Sequence, residues 1–160
     1  MMNVHIIVVG KLKEKYLTDG CKEYIKRLNA YCKINIVEVD EYKLGDNPKP
    51  SEIDICLKKE GENILSKIPK NSAVIPLCIE GKQMPSVKFA DTISKMAIDG
   101  ISDISFVIGG SYGIWQPIKD SGKIKLSMSE MTFPHQLARL MLLEQIYRAF
   151  SIISGAKYHK

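Results

Sequence analysis

Apolar residues along the chain recur with two alternating periods. Ile6 to Val9 is a short continuous apolar run of strand length, and Leu17, Cys21, Tyr24, Ile25 and Leu28 then recur on one helical face. Ile34 to Val39 is a second strand, followed by a loop over Asp40 to Pro50 that contains Gly45, Pro48 and Pro50. Ser51 is placed to cap the next helix, with Asp54 completing a capping-box pattern. Ile53, Leu57, Ile64 and Ile68 line that helix until Pro69 stops it. Ala73 to Ile79 reads as a third strand, Ser86 to Ile98 as a third helix ended by Gly100, and Ile104 to Ile108 as a fourth strand. Ile124, Leu126 and Met128 alternate as a short final strand. A loop from Ser129 to Pro134 precedes a long helix from near His135 to about Ser154.

Strand and helix alternation of this kind predicts an α/β fold, a mostly parallel sheet covered by helices on both faces. In such sheets ligands bind beyond the carboxyl ends of the strands, here Leu77 to Gly81 and Gly109 to Gly113. The glycine-rich stretch Gly109-Gly110-Ser111-Tyr112-Gly113 lets backbone approach a ligand closely. It lacks the G-x-G-x-x-G spacing, and Pro117 in the following segment is a poor match to a phosphate-binding helix start, so a plain tight turn stays open as its reading.

The last helix carries Leu137, Leu140, Met141, Leu142, Leu143, Ile146, Tyr147, Phe150 and Ile153, apolar on more than one face. Cover on several sides is required, by a second subunit or by a central place in the core. Within it Glu144 and Arg148 stand four apart in the order that favours a helical ion pair. Either charge buried alone is costly, so the pair is structural, at the rim, or faces a site. The basic end Lys157, Tyr158, His159 and Lys160 has chain-end disorder as its default.

Bulk composition narrows the class. The 160 residues, 45% hydrophobic and 26% charged, suit a single domain over 1 to 160. No apolar run approaches a membrane span and no cleavable leader pattern opens the chain, which predicts a cytoplasmic protein. Cys21, Cys32, Cys56 and Cys78 have no C-x-x-C pair, which favours buried thiols over zinc ligation or disulfides. A net charge of +5 permits a nucleic-acid partner without requiring one. Lys11, Lys13 and Lys15 are candidate phosphate contacts, or equally a solvated edge.

Four ordered motifs carry a resemblance. Phe-Val-Ile-Gly-Gly-Ser at 106 to 111, Ser-Met-Ser-Glu-Met-Thr-Phe-Pro-His-Gln at 127 to 136, Glu-Gln-Ile-Tyr-Arg-Ala-Phe at 144 to 150 and Tyr-His-Lys at 158 to 160 resemble the RlmH family, as does the opening Val-Gly-Lys-Leu-Lys at 9 to 13. These are SPOUT-class methyltransferases that modify N3 of a pseudouridine in large-subunit ribosomal RNA. The resemblance implies a homodimer, a carboxy-terminal trefoil knot, and S-adenosylmethionine held by Leu77, Gly109 and the loop Met128, Ser129, Glu130, Met131, Thr132 and Phe133. It implies a substrate side at Glu144, Arg148, Tyr158 and His159, with the tail closing over the partner's pocket, and no metal, because a thioether leaves readily.

In that scheme Arg148 holds a phosphate or steadies the imide anion, Glu144 orients it, His159 assists proton removal or grips RNA, and Tyr158 stacks on the base. His135 caps the last helix or braces the cofactor loop. Alternatives are a SPOUT enzyme acting on transfer RNA and a non-enzymatic ribosome-binding module.

Overall fold

The computed structural model describes all 160 residues. Its elements are β1 (Asn3–Val9), α1 (Lys15–Leu28), β2 (Lys33–Val39), α2 (Pro50–Lys67), β3 (Ala73–Lys82), α3 (Ser86–Ile98), β4 (Asp103–Ile108), α4 (Gln116–Ser121) and α5 (His135–Ser154). The four strands form one all-parallel sheet in the order β2-β1-β4-β3. Asn3 of β1 stands level with Lys33 on one side and Asp103 on the other, and Ala73 of β3 stands level with Ile104.

Strand alternation divides the core into two layers. Val4, Ile6, Val8, Ala73, Ile75, Ile104, Phe106 and Ile108 face α1, α3 and α5, meeting Cys21, Leu28, Phe89, Ile93, Leu142 and Ile146. Ile7, Val9, Val74, Cys78 and Val107 face the other way, against Ile64 of α2 and Ile114 and Ile118 beside and in α4. Each fully buried side chain of this size contributes about 1.5–3 kcal/mol of transfer free energy. Burial on both faces explains why the central strands read as continuous apolar runs.

Three expectations change. α2 starts at Pro50 instead of after Ser51: Lys49 is the cap residue, and the Glu52 carboxylate accepts its backbone N–H at 3.1 Å. Pro50 suits the first turn because its ring presets helical φ and its missing N–H would have been unpaired there. The same tolerance explains α4, which carries Pro117 in its first turn. The final strand does not form; Leu126 alone makes bridges, to Leu77 and Lys82. Its alternating apolar pattern arises because Leu126 is buried while Ile124 and Met128 pack partly against the same core.

α5 lies between α1 and α3 over the sheet, with Leu142, Leu143, Ile146 and Ala149 fully buried. Much of its apolar circumference is thus covered within the chain, as a central core helix is. All four cysteines are free and buried, and burial pushes the Cys32 thiol up to about 11. No helix is long and apolar enough to cross a membrane.

Gly61 marks a close approach in the second layer. A Cβ there would lie 2.6 Å from the Trp115 side chain, so the helix must be bare at this point for Trp115 to pack. Gly61→Ala improves helix propensity by up to about 1 kcal/mol but overpacks this contact at about 1–3 kcal/mol. A net loss is expected in urea unfolding.

Candidate active site

The strands β3 and β4 and the loop before α5 enclose a cavity of about 820 Å³ at the carboxyl end of the sheet. Its walls include Leu77 to Glu80, all five residues Gly109 to Gly113, and Met128, Ser129, Met131, Thr132 and Phe133. Beyond the pairing of Pro76 with Val107, β3 and β4 are no longer hydrogen-bonded to each other, and the cavity opens between their carboxyl ends.

The glycine turn serves both readings left open for it. A Cβ on Gly109 would lie 2.3 Å from the Gly113 carbonyl oxygen, and Gly113 has φ +93°, so the turn closes only on glycine. Its exposed side is nevertheless cavity wall. In the following loop the Ser129 hydroxyl accepts the Met131 N–H at 3.0 Å, a local turn that leaves Glu130 exposed and outside the cavity lining. Glu130 therefore falls away from the other nominated cofactor contacts. His135 lines the cavity, but Pro134 is the helix cap; the His135 ring packs at the turn of Gly10, where a Cβ would lie 3.5 Å from its Nε2. A charged pair that the loop pattern did not reveal, Lys119 and Glu80 at 2.7 Å, also sits on the wall.

Glu144, Arg148, Tyr158 and His159, separated by up to 15 positions, converge in a second cluster. Glu144 Oε1 receives Arg148 Nε at 2.8 Å and Nη2 at 2.6 Å, which raises the Arg148 pKa further above its ordinary value. The Tyr158 ring covers the guanidinium at 4.8 Å and its hydroxyl reaches Glu144 at 3.4 Å. A hydrogen bond with Tyr24, burial and the Glu144 charge push the Tyr158 phenol up to about 12, so it is a protonated donor at neutral pH.

Arg148 Nη1 lies 3.1 Å from His159 Nδ1. Since a guanidinium only donates, Nδ1 must accept and the ring proton sits on Nε2. In that tautomer His159 carries its N–H on Nε2, which suits gripping an oxygen acceptor better than removing a proton.

The tail does not fray: Tyr158 packs edge-on against Tyr147 at 4.7 Å. Tyr24 and Gln145 belong to the cluster as well, Gln145 linking Glu144 to Ser86 through bonds of 3.1 and 2.7 Å. Gln145 follows Glu144 in a quoted motif, whereas nothing in the local pattern of α1 singles out Tyr24. Deleting Tyr158 to Lys160 removes no residue of either core layer, so the truncated chain is expected to keep its circular dichroism spectrum and lose the activity that the sequence resemblance implies. Activity that survived truncation would remove the tail from the site.

None of the four clustered residues lines the 820 Å³ cavity. Glu144 and Tyr24 instead line a neighbouring groove of about 470 Å³ that shares Leu126 and Met128 with it. Lys11 and Lys13 are exposed and carry no ion pair, while Lys15 is tied to Asp19 at 2.6 Å. No three His, Cys, Asp or Glu side chains gather as a metal site would require.

A family model described as "Predicted SPOUT methyltransferase" matches residues 2–159. The chain belongs to the SPOUT methyltransferase family. It is 53% identical over 159 residues to a protein of Bacillus pumilus, with 99% of this chain and 100% of that one covered. At the same coverage it is 50% identical to one of Clostridioides difficile and 48% to one of Leuconostoc mesenteroides. All three relatives are named ribosomal RNA large subunit methyltransferase H. Among solved structures, a probable methyltransferase from Bordetella pertussis matches with a TM-score of 0.56 at 10% identity, over 93% of this chain and 95% of that chain. This last likeness speaks to the SPOUT methyltransferase fold alone.

Proposed function

We propose that this SPOUT-family chain transfers a methyl group from S-adenosylmethionine to N3 of a pseudouridine in large-subunit ribosomal RNA, on assembled ribosomes. The observation that carries the reading is the cavity at the ends of β3 and β4. At about 820 Å³ it lies within the usual range for a nucleotide-sized ligand. Leu77, Ile108, Met128 and Phe133 offer apolar surface for an adenine, and the backbone at Leu77 and Gly109 offers polar groups at the strand ends. Ser129, Met131 and Thr132 complete the residues that would hold the donor.

When bound, the donor supplies a methyl group on a sulfonium with a good leaving group. The chain's own residues supply position, which is worth several powers of ten in rate when reacting atoms are held in line. Arg148, with one edge fixed by Glu144 and one face covered by Tyr158, keeps N–H groups for a phosphate or a developing imide anion. His159 Nε2–H adds a donor beside it. The ribosomal substrate accords with the names of the relatives, and the N3 position with the RlmH motifs.

A homodimer completes this scheme. The absence of the Arg148 cluster from the lining of its own chain's cavity, and the groove lined by half-buried Leu140 and Met141, favour a tail that serves the partner's cavity. The trefoil knot is supported by the way Leu126 bridges both Leu77 and Lys82. Lys125 passes so close that a Cβ on Gly81 would lie 2.8 Å from its carbonyl carbon.

Titration calorimetry of the isolated protein with S-adenosylmethionine is expected to give saturable binding. An absence of binding would leave the chain as a ribosome-binding module without enzymatic activity.

A further inference from the structure

One buried charge is unused by the site as described. Glu60 on α2 is only 4% exposed and takes part in none of the chain's ion pairs. Its carboxylate accepts the Tyr42 N–H at 3.0 Å and lies beside the Cys56 thiol, while burial, with a smaller push from the Glu41 charge, raises its carboxyl from the ordinary value. A carboxylate held among apolar groups with so little compensation is costly.

Its placement is specific. A Cβ on Gly110 would lie 3.4 and 3.5 Å from the two Glu60 oxygens, so the carboxylate abuts the bare backbone of the glycine turn. Gly110 also lines the cavity. One layer of glycine backbone therefore separates an unpaired anion from the ligand space. The charges on the cavity wall itself, Lys119 and Glu80, neutralise each other.

We propose that Glu60 is a specificity-determining residue whose charge, acting through the Gly110 backbone, makes the cavity prefer a positively charged methyl donor over its neutral thioether product. This rests on reading the cavity as the S-adenosylmethionine site. A sulfonium and S-adenosylhomocysteine differ by one methyl and one unit of charge, so shape alone separates them weakly. An anion behind one layer of cavity backbone, screened by protein instead of water, separates them by charge. The same field weakens once the methyl has left, which favours release of the product.

The test is calorimetric. Dissociation constants of S-adenosylmethionine and S-adenosylhomocysteine are measured on the full chain, wild type, Glu60→Gln and Glu60→Asp. Glu60→Gln keeps the size and an oxygen to accept from Tyr42, and removes the charge while putting an amide NH2 in place of the other oxygen. It is expected to shift the donor-to-product affinity ratio by about tenfold toward the product, the scale of one charge interaction at low effective dielectric. Glu60→Asp should hold the wild-type ratio even if both ligands bind more weakly. Because the ratio comes from one preparation, partial unfolding cancels from it. A Glu60→Gln ratio within about twofold of wild type, or an equal weakening of both ligands, would make Glu60 a structural brace and overturn the proposal. Wild-type protein that bound neither ligand would overturn the donor reading itself, and this inference with it.

Discussion

Arg148→Ala is expected to reduce methyl transfer by at least about 10³-fold while leaving the affinity for S-adenosylmethionine within about threefold of wild type. The split follows from geometry. Arg148 does not line the cavity of its own chain, but it is the hub of the cluster, bonded to Glu144 and His159 and covered by Tyr158. Its removal strands the Glu144 carboxylate and frees the tail without opening either core layer.

If the tail serves the partner's cavity, Arg148→Ala protein mixed with a variant blocked at the cavity, such as Thr132→Trp on its exposed wall, should regain activity through mixed dimers. Two inactive proteins that remain inactive after mixing and subunit exchange would assign the tail to its own chain. Loss of donor binding in Arg148→Ala alone would point to a collapsed assembly instead of a missing substrate contact.

The second large effect concerns stability, and its asymmetry is the informative part. Arg139 is 4% exposed at its side chain and pairs at 2.9 Å with Glu38, which is 36% exposed. A second guanidinium nitrogen donates to the Gly10 carbonyl at 3.2 Å, and Nε has no partner. Glu38→Ala leaves a buried guanidinium with one carbonyl for company, and is expected to cost about 3 kcal/mol. Arg139→Met fills the same space with an apolar chain and leaves Glu38 near enough to the surface to rehydrate, so about 1 kcal/mol or less is expected. Urea unfolding of both variants measures the difference. Equal losses would show that packing of the Arg139 stem, not its charge, is what β1, β2 and α5 share.

How much of this was legible in the sequence differs from residue to residue. The helix His135–Ser154, the start of β3 at Ala73 and the end of β4 at Ile108 were read directly, because long helical periodicity and short apolar runs survive burial on both faces; β3 runs on to Lys82, past the expected end at Ile79, where its apolar run has already stopped. The interrupted segment from Ile114 was not read as helix, since Pro117 looks like a breaker unless it falls in a first turn. Alternation at Ile124 to Met128 imitated a strand, although Leu126 only touches the far end of β3.

Within the site, the Glu144–Arg148 spacing announced an ion pair, but periodicity could not bring Tyr158 and His159 onto it; only the family motifs did. Glu130 was carried in with its loop and is turned outward by the hydroxyl of Ser129. Glu60 and Arg139 were missed altogether. Each lies on a buried helical face where a charge looks like an interruption of the pattern, and its role depends on a neighbour 50 or 101 positions away, Gly110 or Glu38. A charged residue at a stripe position was the available signal.

The central claim is that the strand-end cavity and the Arg148 cluster together methylate large-subunit ribosomal RNA. It is tested most directly by supplying methyl-labelled S-adenosylmethionine with assembled ribosomes, free large subunits and transfer RNA, then mapping the label to a nucleotide. The account predicts label at N3 of one pseudouridine in large-subunit RNA, absent when Arg148→Ala replaces the wild type. Label on transfer RNA, or none on the large subunit, would contradict it.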